Sequence, residues 1–321
     1  MLSNYKNQVD LKLESIKSEL PNLPIYDPIK YIIDLGGKRF RSSLLLFVTD
    51  MFCDSSERGI EEATAIELFH NFTLIHDDIM DQAPLRRGKS SVHEKWDTNT
   101  AILSGDLMYA LVNKILASSK NQSSEIHYLF QQTAMEVCEG QSLDMAFENQ
   151  DNVTQDDYVE MIKLKTAVLV ACALKIGAMI GGANQNNAQL LYDFGINLGI
   201  SFQIHDDILD VYPTKEVFGK QIGGDILEKK KTILFIELLN NISIDQKKEV
   251  FKTIEDNYLN DQKKVEYVKS LYSQFNVLDS ANKLKEYYYK KALDNLINVE
   301  IDKDFKNQLK EFAINLMNRK F

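Results

Sequence analysis

The chain has 321 residues, 44% of them hydrophobic and including 14 Tyr and 16 Phe, so it carries ample apolar material for a large core. Its 37 Lys plus Arg stand against 47 Asp plus Glu, a formal net charge of −10, which argues against a protein that coats nucleic acid or an anionic membrane. The three cysteines, Cys53, Cys138 and Cys172, lie far apart with no CxxC pair, so neither a disulfide framework nor a zinc ribbon is indicated and a cytoplasmic chain is expected.

From the start, residues 1–6 pass directly into alternating charged and apolar positions without an apolar h-region, so no export signal is expected. Only five prolines occur: Pro21, Pro24 and Pro28 cluster early, while Pro84 and Pro213 stand alone, leaving long segments without a helix breaker. Apolar residues recur at helical spacing through residues 44–52, 66–79, 102–116, 128–147, 158–180, 190–211 and 233–239, and strand-like alternation is absent. The pattern predicts an all-α fold of about ten to thirteen helices. The apolar run at 167–174 is too short to span a bilayer of about 30 Å, so it reads as a buried core helix and no membrane span is expected. Residues 154–157 and 243–246 carry capping-box patterns. No flexible linker divides the chain, which is read as one domain, 1–321, with an N-terminal helix and linker at 1–28 and the main helical bundle at 29–321.

One internal echo stands out. The segment from Ile75 to Asp81, IHDDIMD, returns at Ile204 to Asp210 as IHDDILD, with six of seven positions identical. On a helix, Asp77 and Asp81 lie one turn apart on one face with Asp78 at its edge, and Asp206, Asp207 and Asp210 repeat that arrangement. Carboxylates so crowded raise one another's pKa unless a cation offsets them, so a hard metal held by oxygen is expected. Magnesium, typically held by one or two carboxylates together with substrate phosphates, suits this pattern better than a closed calcium cage. A di-iron bundle needs two Glu-x-x-His motifs, and only Glu67 to His70 provides one. Pro84 and Pro213 follow the two motifs closely, which places both at helix ends.

Basic clusters flank the acidic ones. Gly36-Gly37-Lys38-Arg39-Phe40-Arg41 is read as the opening of a helix, Arg86-Arg87-Gly88-Lys89 follows the first motif, and Lys229-Lys230-Lys231-Thr232 follows the second. Glycines ahead of a helix N-terminus let backbone N–H groups and basic side chains meet a phosphate. The Gly-Gly-Lys segment lacks Walker-loop spacing.

These residues together resemble the trans-isoprenyl diphosphate synthases, the polyprenyl synthetase family, in its short-chain farnesyl and geranylgeranyl group. The resemblance runs in order through GGKRFR, ELFHNFTLIHDDIMD, RRG, EGQSLD, KT, FQIHDDILD, FGKQIGGD and EKKKT. It implies the all-α isoprenoid synthase fold, with the active site in a central cavity between two Asp-rich helices. The implied reaction is head-to-tail condensation of isopentenyl diphosphate with an allylic diphosphate (dimethylallyl, geranyl or farnesyl). Lys38, Arg41, His70 and Arg87 would hold the isopentenyl diphosphate, while Arg86, Lys165, Lys220 and Lys230 would grip the allylic one. Asp77, Asp81 and Asp206 would be the main magnesium ligands, supported by Asp78, Asp207 and Asp210, with three ions bound beside substrate. Thr166 and Gln203 would face the developing carbocation, with Phe202 as its aromatic neighbour and Gln141 and Asp144 behind them. A homodimer through residues 102–116 and neighbouring helices is also implied.

Two positions depart from the family pattern: Ser42 stands where Pro is usual, and Lys229 where Gly is frequent. In the family a bulky residue five before the first Asp limits product growth. Here that residue is Phe72, with Phe69 and Thr73 nearby and Leu103 and Met108 expected to line the apolar pocket. Thr73 is smaller than the aromatic common in farnesyl enzymes, and the first motif lacks the insertion of bacterial farnesyl synthases, so a twenty-carbon product is expected ahead of fifteen. A terpene cyclase and an inactive partner subunit are the alternatives; the first normally lacks the second Asp motif, and the second predicts degraded motifs.

Overall fold

In a computed structural model of the protein, residues 2–148, 150, 152–213 and 222–318 are described. In chain order its helices are α1 (Ser3–Glu19), α2 (Asp27–Asp34), α3 (Phe40–Cys53), α4 (Ile60–Met80), α5 (Val92–Lys95), α6 (Thr98–Ser118), α7 (Ser124–Glu148), α8 (Gln155–Ile162), α9 (Val168–Gly181) and α10 (Gln185–Val211). They continue as α11 (Gly224–Leu227), α12 (Ile233–Asn241), α13 (Ile244–Glu255), α14 (Asp261–Gln274), α15 (Val277–Ile297) and α16 (Lys303–Met317). All seven periodic stretches fall on helical backbone. The expected range of ten to thirteen is exceeded because α5 and α11 are single turns and a π-turn at Lys163–Ala167 separates α8 from α9. Both capping boxes form: Thr154 with Asp157 starts α8, and Ser243 with Gln246 starts α13.

The absence of strands needs one correction. Leu85–Arg86 and Lys89–Ser90 pair antiparallel around a two-residue turn in which Arg87 and Gly88 both have positive φ, 54° and 75°. Such a hairpin is too short to show period-2 alternation, so the sequence pattern passes over it.

The chain divides into two compact units, Met1–Gln131 with Cys172–Gln189, and Gln132–Ala171 with Leu190–Phe321. In the first, α4 packs on α1, α3 and α6, burying Ile66, Phe69 and Ile75 with Leu44, Leu45, Met108 and Val112. Arg39, 3% exposed, ties this unit together by donating to Glu67 (2.9 Å), Asp10 (3.0 Å) and the Ile33 carbonyl (3.2 Å). Ser42, at the family's Pro position, donates from Oγ to the second Glu67 oxygen at 2.9 Å. Glu67 is therefore committed to an ion pair, and the one Glu-x-x-His pattern is structural at its first residue.

In the second unit, α12 buries Leu234, Phe235, Ile236 and Leu238 against Ile204 and Ile208 of α10 and Val268 and Tyr272 of α14. The π-turn lies against two glycines that permit close backbone approach. A Cβ at Gly140 of α7 would fall 2.3 Å from the Lys165 backbone N, and one at Gly199 of α10 would fall 2.6 Å from the Ala167 Cα. Two helical stretches, Thr98–Ser118 and Gln155–Gly181, are long and apolar enough to cross a membrane by length and composition. The most apolar window of the second is 78% buried, as expected of the core helix predicted at 167–174, whereas that of the first is 39% buried.

Candidate active site

The first unit gathers a basic cluster. α3 begins at Phe40, with Arg39 left-handed just before it (φ 52°), so Lys38 lies ahead of the helix and Arg41 in its first turn. The segment opens the helix with its glycines ahead of the N-terminus, as expected, and it separates the arginines: Arg39 points into the core, while Arg41 Nη1 comes within 3.3 Å of His70 Nε2. The Arg87 guanidinium packs over Gly37, where an added Cβ would lie 3.0 Å from Nη2. Partly buried His70 is held well below the ordinary histidine range, first by desolvation and then by Arg41, Arg87, Arg86 and Arg39. His70 is therefore neutral at pH 7. Arg41, His70 and Arg87 thus come together from three elements, forming a basic cluster whose side chains could meet an anion.

The first aspartate motif occupies the C-terminal end of α4. Asp78 is fully buried, and Arg86 of the hairpin donates to both its oxygens, with Nε at 3.0 and 3.2 Å and Nη2 adding a further bond. Burial raises the Asp78 carboxyl above its usual range, and Arg86 opposes that rise. Asp77 is half-buried and Asp81 exposed.

The predicted chain-length residues lie farther up the same helix. Phe69 is fully buried, with ring centroids 5.4 Å from Phe130 and 6.0 Å from Tyr109; Phe72 stacks on Tyr109 at 5.4 Å and 28°. Thr73 turns its hydroxyl onto the His70 carbonyl at 2.9 Å. Met108 is buried as expected, but Leu103 is 57% exposed, because it falls on the outer face of α6.

The second unit holds a polar pocket lined by Asp144, Tyr158, Met161, Ile162, Lys165, Thr166, Gln203, Asp207, Asp225, Lys230, Lys231 and Thr232. The π-turn supplies Lys165 and Thr166 side by side: Lys165 Nζ donates to Asp144 at 2.5 Å, and Thr166 Oγ1 donates to Gln203 Oε1 at 3.1 Å. Gln203 Nε2 then donates to Asp207 Oδ1 at 2.9 Å, and Tyr158 Oη donates to Asp207 Oδ2 at 2.6 Å. Asp207 is 6% exposed, and its carboxyl is pushed up to about 8, chiefly by burial and then by Asp225. Asp206, the motif neighbour expected to crowd it, contributes least. The outer members, Asp206 and Asp210, are half-buried. Asp210 receives the Asp225 backbone N–H at 3.2 Å, and Lys230 lies 3.0 Å from Glu228 and 3.8 Å from Asp225. Phe202 is buried; Gln141 is 8% exposed; Lys220 lies outside the described residues.

Two participants escaped sequence reasoning. Asp225 sits in the Gly-Gly-Asp segment that was read only for its glycines, and Tyr158, seven residues before Lys165, belongs to a helix read only as core.

Residues 23–275 match the model of the polyprenyl synthetase family. A geranylgeranyl diphosphate synthase of Sulfolobus acidocaldarius is 37% identical over 325 aligned residues, covering 97% of each chain. A solved geranylgeranyl pyrophosphate synthase superposes with a TM-score of 0.92 at 41% identity, covering 100% of this chain and 99% of that one. A polyprenyl synthase from Caulobacter crescentus CB15, complexed with calcium and isoprenyl diphosphate, superposes with a TM-score of 0.86 at 26% identity, covering 100% and 97%.

Proposed function

The chain belongs to the polyprenyl synthetase family, and from that premise we propose how its residues divide the work of a short-chain prenyltransferase making chiefly geranylgeranyl diphosphate, with farnesyl diphosphate next. Lys38, Arg41, His70 and Arg87 bind the isopentenyl diphosphate. Arg86, Lys165, Lys220 and Lys230 bind the allylic diphosphate. The neutral His70 donates a hydrogen bond without adding charge to an arginine-rich site.

The donor set fits a hard divalent cation. Each motif offers outer carboxylates that are not fully buried, Asp77 with Asp81 and Asp206 with Asp210, and a buried middle one held by Arg86 or by Tyr158 and Gln203. Magnesium shared with substrate phosphates needs only one or two carboxylates from the protein, which each motif can supply. Asp77, Asp81 and Asp206 would hold magnesium, which would supply charge neutralisation for the departing diphosphate. Lys165, steadied by Asp144, meets the same developing charge. Thr166 and Gln203 turn oxygen atoms toward the allylic carbocation, and Phe202 backs them. Apolar walls exclude water that would quench that cation. The released diphosphate accepts the proton lost as the new double bond forms.

The chain acts as one domain and as a homodimer: the bounds of the two units fall inside α7, α9 and α10 rather than in linkers, and α6 exposes Ile102 and Leu103. With its separated cysteines, it works in the cytoplasm.

The observation that carries this reading is the assembly of Arg41, His70 and Arg87 in the unit that also holds the first carboxylate motif. Product mass tests it. With isopentenyl and dimethylallyl diphosphates and magnesium, the protein should give a twenty-carbon product, and Phe72→Ala should lengthen it; an unchanged product would remove Phe72 as the floor.

A further inference from the structure

We propose that Tyr158 is a positioning residue for the prenyl-transfer step, acting through Asp207 to fix the orientation of the Gln203 carboxamide. The inference rests on the reading that Gln203 faces the reacting centre. Four side chains from three elements form one hydrogen-bonded chain whose donors converge on Asp207. Tyr158 Oη, from α8, donates to Asp207 Oδ2 at 2.6 Å; Gln203 Nε2 donates to Asp207 Oδ1 at 2.9 Å; and Thr166 Oγ1, from the π-turn, donates to Gln203 Oε1 at 3.1 Å.

Each link constrains the next. A carboxamide has one donating and one accepting end, and only its NH2 can face an acceptor. With Asp207 accepting on both oxygens, Gln203 must aim its NH2 at Asp207 and its oxygen toward Thr166, the orientation that offers an electron-rich atom to a cation. Tyr158 is 1% exposed and Asp207 6% exposed, so solvent does not replace the phenol as donor. Without that donor the Asp207 carboxyl can rotate, and Gln203 can turn its NH2 toward the pocket. A positive dipole end would then meet the carbocation. The role differs from packing: the Tyr158 ring fills core, whereas its oxygen sets a polarity two side chains away.

Tyr158→Phe keeps the ring and removes the oxygen. Single-turnover condensation measured on Tyr158→Phe, Gln203→Leu and the double variant separates the possibilities. The inference predicts that Tyr158→Phe slows the step by about tenfold, the scale of one hydrogen bond, with the KM for isopentenyl diphosphate unchanged. It also predicts that the double variant is no slower than Gln203→Leu alone. Should Tyr158→Phe fail to fold, Asp207→Asn, which leaves one accepting oxygen for two donors, breaks the chain one link further on and must show the same non-additivity with Gln203→Leu. An unchanged rate in Tyr158→Phe, or losses that multiply in the double variant, overturns the inference. If Gln203→Leu itself turns over at the parent rate, the reading of Gln203 fails, and the inference goes with it.

Discussion

The two aspartate motifs share six of seven residues, yet the protein partners their middle carboxyls by different means. Asp78 is held by a guanidinium, a full counter-charge reaching it from a hairpin just downstream. Asp207 is held by a phenol and a carboxamide, neutral donors that satisfy its oxygens and bring no counter-charge. Burial raises both carboxyls, but only Asp207 is pushed up to about 8. A motif therefore fixes where carboxylates stand, and the partners supplied by the surrounding fold fix their charge.

The largest expected effects fall where the motifs are alike. Asp81→Ala and Asp206→Ala should each lower kcat/KM by about a thousandfold or more, as expected when a metal-binding carboxylate is lost. Steady-state kinetics would break the parallel if one variant kept near-parent activity. The middle positions should differ. Asp78→Asn leaves Arg86 without its counter-charge and should cost about 2 kcal/mol, whereas Asp207→Asn retains neutral partners and should cost less than about 1 kcal/mol in urea unfolding. Equal losses would erase the contrast.

The pH dependence of stability in metal-free protein sharpens it further. Because the folded Asp207 carboxyl titrates near 8 and the unfolded one near 3.8, folding retains a proton that the unfolded chain has released. Its stabilising contribution is complete below pH 3.8 and is lost as pH rises through about 8. Denaturation midpoints of the parent should fall across that window relative to Asp207→Asn. Parallel curves would show that Asp207 is ionised throughout.

The smallest effect lies in the loops after the motifs. Arg87 and Lys229 are both left-handed, with φ of 54° and 57°. Arg87 belongs to the anion cluster, but Lys229 makes only an exposed ion pair with Glu255. Lys229→Gly, restoring the family's frequent residue, should therefore raise stability by about 0.5–1 kcal/mol, read as a small increase in melting temperature.

Most of the helical frame was legible because its signals are local: apolar residues at helical spacing, five prolines confined to three places, and two capping boxes. The π-turn was not, since one extra residue in a continuous apolar helix leaves periodicity almost unchanged and depends on approach to Gly140 and Gly199. The hairpin depends on a left-handed Arg87, a conformation that residue type does not advertise. The aspartates and the Arg41, His70 and Arg87 set could be named from motifs, whereas Tyr158 could not. It meets Asp207 across 49 residues of chain, and its phenol carries meaning only once that contact exists.

The most direct test is mass spectrometry of products from the purified protein given isopentenyl and dimethylallyl diphosphates, with magnesium and with excess chelator. A prenyl diphosphate of twenty carbons formed only when the metal is present is the predicted result. No elongation from dimethylallyl, geranyl or farnesyl diphosphate, or equal product in chelator, would contradict the account.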